Sequence, residues 1–197
     1  MSTIPTVAGP VPVTAWTASR DDWLADRARG LGASDVAAAL GFSRWRTPWQ
    51  VWAEKTGARR PPEITSAAAE LGTALEPWLR GQAGELLHRP VIRTPFWMYA
   101  HPDHQWRLAS PDGVVAGGGP LVELKTAGLA SGFGRPEGWS DMDVPLGYEL
   151  QCRWQMHVLD ADAVELVALV AGFGLRRYTI FRDAAVEADL VAQVDGW

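Results

Sequence analysis

Asp112, Glu123 and Lys125 are the residues of this 197-residue chain whose types and spacing best fit a hydrolytic centre. Val114-Val115 and Pro120-Leu121-Val122 flank Gly117-Gly118-Gly119, a pattern that predicts a β-hairpin. Residues two apart on a strand project from the same face, so Glu123 and Lys125 point together. Ser110-Pro111-Asp112-Gly113 puts Asp112 at the start of the neighbouring strand, close enough to share a cation with Glu123. Two carboxylates beside a lysine suit Mg²⁺ or Mn²⁺ held against a phosphate, with the ammonium near an attacking water. Taken singly, Glu-x-Lys reads as a solvated strand face, and SPDG as a turn whose Asp bonds its own backbone. Their order, with apolar Val122 and Leu124 on the opposite face, favours the metal site.

Other candidates have plainer readings beside the chemical ones. Glu76 precedes Pro77 on a helix and by default belongs to its polar face. Tyr148, Gln151 and Gln155 share one helical face, with Cys152, Met156 and Leu159 nearer the core. That polar face either lines a groove or is exposed. Ser34 reads as the N-cap of a helix over 35–40, worth about 1 kcal/mol. With Arg27 or Arg29 nearby, the same hydroxyl would suit a phosphate. Most of the eleven Trp residues read as packing anchors, whereas Trp45, between Arg44 and Arg46, is placed to stack near nucleic acid.

The elements that must position these groups follow from capping and periodicity. Residues 1–18 read as an extended arm, ahead of a single domain over 19–197. Asp21-Asp22 opens a helix to about Arg29, and residues 30–33 form a turn. Thr47-Pro48 starts a helix that ends before Gly57, and 57–65 is a loop. A longer helix spans Ser66 to Leu87, with Leu71, Leu75, Trp78 and Leu79 as its apolar stripe and a kink at Pro77. Strands are expected at 90–99, 105–109, 114–116 and 120–125, then a loop over 127–144. A helix from Pro145 to Leu159, strands at 163–171 and 175–182, and a helix at 183–195 complete the chain. The pattern is an α/β sandwich around a mixed central sheet.

Bulk properties restrict the function classes. A hydrophobic content of 47% supports one globular domain with a sizeable core. A single cysteine, Cys152, excludes an internal disulfide and a Cys-based zinc site. No segment reads as a signal peptide or a membrane span, so a cytoplasmic protein is expected. The net charge of −5 argues against a sequence-independent DNA coat but not against a nuclease, whose metal-binding carboxylates lower the total. Sixteen of the eighteen basic residues are Arg, which favours bidentate phosphate contacts.

Ordered segments then carry a resemblance. They are Trp23 with Arg27, Gly32-Ala33-Ser34-Asp35, Ala39-Leu40-Gly41, Thr47-Pro48, and Trp52-Ala53-Glu54-Lys55-Thr56-Gly57. Gly72 with Leu75-Glu76-Pro77, Ser110-Pro111-Asp112-Gly113, Glu123-Leu124-Lys125-Thr126, and Pro145 with Tyr148 and Gln151 follow in order. From about residue 20 to 182 the chain resembles the YqaJ-type viral recombinases, the lambda exonuclease-like family of the PD-(D/E)xK nuclease superfamily. The resemblance implies a restriction-endonuclease-like α/β core, a mixed central sheet flanked by helices. It also implies a metal held by Asp112, Glu123 and the Leu124 carbonyl, with Lys125 orienting or activating water. Glu76 would join the metal shell and Gln151 would line the site. Arg27 and Ser34 would hold a terminal 5′-phosphate, with Arg29 and Tyr148 as further DNA contacts.

The expected activity is therefore an Mg²⁺-dependent (or Mn²⁺-dependent) exonuclease. It would digest one strand of duplex DNA ends 5′ to 3′ and leave a 3′ tail for a single-strand annealing protein. A homotrimer is expected by resemblance only. The rivals are a structure-selective endonuclease of the same fold and a non-catalytic adaptor that binds DNA ends.

Overall fold

The computed structural model describes residues 9–60, 66–128 and 138–197. Parts of the expected arm (1–8) and of two expected loops (61–65 and 129–137) lie outside the described residues. The chain begins with β1 (Val11–Thr14), α1 (Arg20–Ala28), β2 (Leu31–Gly32) and α2 (Ala33–Ala39). Ser19 caps α1 in a reciprocal capping box with Asp22. Residues 31–32, expected in a turn, instead pair in parallel with a strand at 107–108. Gly30 permits this: a Cβ there would lie 2.1 Å from the Trp106 carbonyl oxygen, which Leu31 N–H bonds at 2.7 Å.

The early strand moves the start of α2. Gly32, not Ser34, is its N-cap, and no side chain caps the helix. α3 (Pro48–Lys55) starts as expected, with Thr47 and Gln50 forming a capping box and Pro48 in the first turn. α4 (Ala67–Leu87) continues through Pro77, capped by Ser66. Its buried face is Leu79 and Ala83, with Leu87 partly covered; of the expected stripe Leu79 is buried and Leu75 half-buried. Leu71 and Trp78 are exposed. Only the C-terminal half of α4 packs on the sheet; its N-terminal half walls a cleft.

Beyond α4 come β3 (Val91–Ile92), β4 (Met98–Ala100), β5 (Arg107–Ala109), β6 (Gly113–Val115), β7 (Leu121–Ala127), α5 (Leu146–Leu159), β8 (Ala163–Val170), β9 (Gly174–Phe181) and α6 (Ala184–Asp195). They build two sheets rather than one central sheet: a four-stranded β1-β4-β5-β2 and a five-stranded β3-β6-β7-β8-β9. The larger is mixed, because β7 and β8 run parallel while its other neighbours are antiparallel. The β7–α5–β8 crossover supplies that parallel step.

α5 joins the two halves of the core. Leu150, Trp154 and Val158 pack with α2 and α6, whereas Cys152 and Met156 pack over β8 and β9. Each such buried large side chain contributes roughly 1.5–3 kcal/mol of transfer free energy. Among the described residues, no helix is long and apolar enough to cross a membrane.

Candidate active site

The β6–β7 ladder brings the first pair of carboxylates together. Gly113 pairs with Val122 and Val114 with Leu121, so Asp112 and Glu123 stand next in register. Gly113 is required here, since a Cβ would lie 2.8 Å from the Ile92 carbonyl oxygen on β3. Asp112 Oδ2 accepts the Leu124 N–H at 2.7 Å, which fixes the carboxylate against β7. On the same strand the Lys125 ammonium donates to Glu123 Oε1, and it lies 5.3 Å from the centre of the Tyr148 ring.

α5 supplies the remaining contacts to Glu123. Gln151 Nε2 donates to Oε1 and Gln155 Nε2 to Oε2, each at 2.6 Å. Gln151 and Gln155 are thus turned onto the sheet and buried, so of the face expected either to line a groove or to be exposed only half-buried Tyr148 lines the cleft. Gln155 had no assigned role in the sequence; its place seven residues after Tyr148 and four after Gln151, on the same helical face, was the available signal. Glu76, on α4, is salt-bridged to Arg80, whose Nη2 donates to the Asp112 backbone carbonyl at 3.1 Å. Arg80 was missed, although its i, i+4 spacing from Glu76 marks a helical ion pair.

Glu76, Asp112, Leu124, Lys125 and Tyr148 line one cavity of about 990 Å³ between α4 and the end of β7. Arg44 and Trp45 form its far wall. Trp45 is 78% exposed, with the Arg44 guanidinium 4.8 Å from its ring centre.

Electrostatics inside the cavity favour a cation. Burial, then the Glu123 and Glu76 charges, push the Asp112 carboxyl up to about 8, against the pull of Lys125 and the Leu124 amide. Burial alone would lower Lys125, but the Glu123 and Asp112 carboxylates outweigh it and hold the ammonium above its usual pKa. Among the described residues, no three His, Cys, Asp or Glu side chains form a ready-made metal cage. Two carboxylates completed by a carbonyl, water and substrate phosphate are the donor set Mg²⁺ uses in such sites. Asp112 Oδ1 accepts no hydrogen bond from the described residues, so the residues present fit a divalent ion.

A second cluster surrounds Ser34. Arg27 Nη2 donates to Ser34 Oγ at 2.9 Å and to Asp35 Oδ1 at 2.6 Å. Arg46 Nη1 also reaches Asp35 Oδ1 at 2.6 Å, and Lys55 Nζ lies 2.9 Å from Oδ2. Arg46 Nη2 bonds Glu54 at 2.5 Å. Burial would raise the Asp35 pKa, but the three cations outweigh it and hold the carboxyl well below its usual range. Arg29 does not join the cluster: it is exposed and pairs with Asp26 at 3.2 Å.

The YqaJ-like viral recombinase domain matches residues 22–162, which spans both clusters. The chain belongs to that family. An uncharacterized YqaJ protein of Bacillus subtilis (strain 168) is 33% identical over 144 residues, covering 73% of this chain. The match spans 44% of that relative's own length. Among solved structures, the alkaline exonuclease of Laribacter hongkongensis superposes with a TM-score of 0.65 at 21% identity, covering 89% of each chain. A phage-related exonuclease from Haemophilus somnus 129PT gives 0.61 at 11% identity, covering 84% of this chain and 90% of that one. At these identities the likeness establishes the fold, a restriction-endonuclease-like α/β core with mixed sheets flanked by helices.

Proposed function

We propose that this chain is a metal-dependent nuclease that digests one strand of duplex DNA ends 5′ to 3′, leaving a 3′ single-stranded tail. The observation that carries the reading is the gathering of Asp112, Glu123 and Lys125 at one end of the β6–β7 ladder, with Asp112 and Lys125 lining a cleft and Glu123 buried behind them. Asp112 and Glu123, with the Leu124 carbonyl, would hold Mg²⁺ or Mn²⁺. The ion would stabilise the charge that develops on phosphorus and on the departing oxygen.

The chain's own residues account for the rest. Gln151 and Gln155 fix both oxygens of Glu123, so the carboxylate keeps its orientation as substrate enters. Lys125, held cationic by its carboxylate neighbours, donates to the attacking water and sets it in line with the scissile bond. Arg80 ties Glu76 to the Asp112 backbone, placing a third carboxylate at the edge of the cleft.

Arg27 and Ser34 are proposed to hold the terminal 5′-phosphate. An enzyme that uses such a pocket repeatedly must leave a new 5′-phosphate after each cut. Water therefore adds to phosphorus while the P–O3′ bond breaks. The DNA end is the proposed substrate, and a protein that anneals single strands the proposed consumer of the product.

The test compares linear with covalently closed circular duplexes in Mg²⁺, with 5′-phosphate or 5′-hydroxyl ends. Metal-dependent release of mononucleotides from phosphorylated linear DNA is expected. Cutting of closed circles would replace this reading with an endonuclease, and no release in any metal would leave an end-binding adaptor.

A further inference from the structure

Arg27 and Ser34 form only one edge of the ion cluster around Asp35. Arg27, Arg46 and Lys55 oppose two carboxylates, Asp35 and Glu54, which leaves one surplus positive charge. Asp35 is fully buried, whereas the side chains of Arg27 and Arg46 remain 27% and 28% exposed. The two guanidinium groups therefore share one buried oxygen, both side chains keep outward surface, and Arg27 also holds the Ser34 hydroxyl. A guanidinium carries five N–H donors in a fixed fork. Arg46 spends Nη1 on Asp35 and Nη2 on Glu54, while its Nε–H has no partner among the described residues although it is buried. A buried donor without an acceptor is costly and is rarely retained without a use.

Resting on the phosphate-pocket reading given above, we propose that Arg46 is a second arginine of that pocket. Asp35 is the positioning residue that holds Arg27 and Arg46 together as one clamp for a phosphate monoester. A terminal monoester carries about −1.5 to −2 charge at neutral pH, more than a diester linkage. A site with surplus positive charge and two forks selects it over a 5′-hydroxyl end. Without the Asp35 carboxylate, the two guanidinium groups and the Lys55 ammonium repel one another and the clamp opens.

Arg46 also stands next to Trp45, which lines the catalytic cleft while Arg46 faces Asp35. The short Arg44-Trp45-Arg46 segment thus connects the two clusters. Anchoring Arg46 fixes where the DNA end sits relative to the cleft.

The experiment measures Kd for a 5′-phosphorylated and a 5′-hydroxyl duplex, without divalent metal, in full-length protein carrying Lys125→Ala so that the DNA stays intact. The parent is expected to favour the phosphorylated duplex by at least about tenfold, the value of one charge-assisted hydrogen bond. Arg46→Gln should bring that ratio down about tenfold, and Arg46→Lys should recover only part of it, because a point charge lacks the fork. Asp35→Asn should lower the ratio as Arg46→Gln does. Because Asp35 is buried and that variant could unfold, Arg46→Gln decides. If Arg27→Ala abolishes the preference and Arg46→Gln leaves it whole, the clamp is overturned and the phosphate pocket stands. If the parent itself shows no preference, the pocket and the clamp both fall, while the metal centre remains open to its own test.

Discussion

The two charged clusters are electrostatic opposites built on the same plan. At the cleft, Glu76, Asp112 and Glu123 stand against Lys125 and Arg80, and burial together with the neighbouring carboxylates raises the Asp112 pKa. Around Asp35, three cations stand against two carboxylates, and the buried acid is held ionised. One cluster is short of positive charge and the other of negative charge. Under the proposed function a metal ion would satisfy the first and a phosphate the second, so a single DNA end bound with a metal would neutralise both. Neither cluster is best understood as a stabilising salt bridge; each is an incomplete ionic arrangement.

The comparison breaks most readily at Lys125. Lys125→Ala should cut the rate of nucleotide release roughly a hundredfold to a thousandfold, with an unchanged circular dichroism spectrum. Normal digestion by that variant would show that the negative cluster is not a catalytic centre.

Removing the central carboxylate of the positive cluster is expected to be nearly as damaging, but to the fold. Asp35→Ala leaves Arg27 and Lys55 without a carboxylate and Arg46 with Glu54 alone, and should cost about 3–5 kcal/mol in urea unfolding. A loss within experimental error would mean that the cluster relaxes outward and carries no stored repulsion.

The cleft should respond to pH with the opposite sign from ordinary paired acids. The Asp112 pKa in the fold, about 8, lies above the usual carboxylate range. In that interval the folded state therefore binds more protons than the unfolded one. Without divalent metal, stability is then greatest below the ordinary carboxylate pKa and falls as pH rises towards 8. Asp112→Asn should remove that slope and, above pH 8, stabilise the metal-free protein by on the order of 1–3 kcal/mol. A flat profile in the parent would mean that Asp112 is solvated rather than crowded.

A smaller effect is expected at Gln155. Gln155→Ala leaves Glu123 Oε2 without its donor and should weaken Mg²⁺ binding about tenfold to a hundredfold, read by metal titration of cleavage. The least change in stability, within about 0.5 kcal/mol, is expected for exposed Trp45→Ala. If a base stacks there, the same variant should weaken DNA binding by about 1–3 kcal/mol.

How legible each cluster was in the sequence follows from how local its contacts are. Asp112, Glu123 and Lys125 lie within a hairpin that three glycines and a period of two announce, so their meeting follows from short-range rules. The cap at Thr47 was readable for the same reason, whereas Ser19 and Ser66 cap their helices without having been marked as caps by the sequence. Asp35 was named only as part of a motif, because Arg46 and Lys55 reach it from a loop and a different helix. β2 was read as a turn because two residues carry no periodicity, and their partner strand lies some seventy-five positions on. The α4 stripe failed for another reason. Apolar spacing marked Leu71 and Trp78 for burial, but the cleft opens along the first half of the helix, where Gly72 comes close to Thr126 of β7.

α5 gives the molecule a mechanical constraint as well as a core. Its Gln151 and Gln155 meet Glu123 at one helical spacing, while Trp154, on another face, is packed into the opposite half of the core. Inserting or deleting one residue between 146 and 150 would turn the register by about 100° relative to what precedes it. Both amides would then swing off the carboxylate, or the indole would leave its socket. The helix can therefore accept changes in residue type far more readily than changes in length.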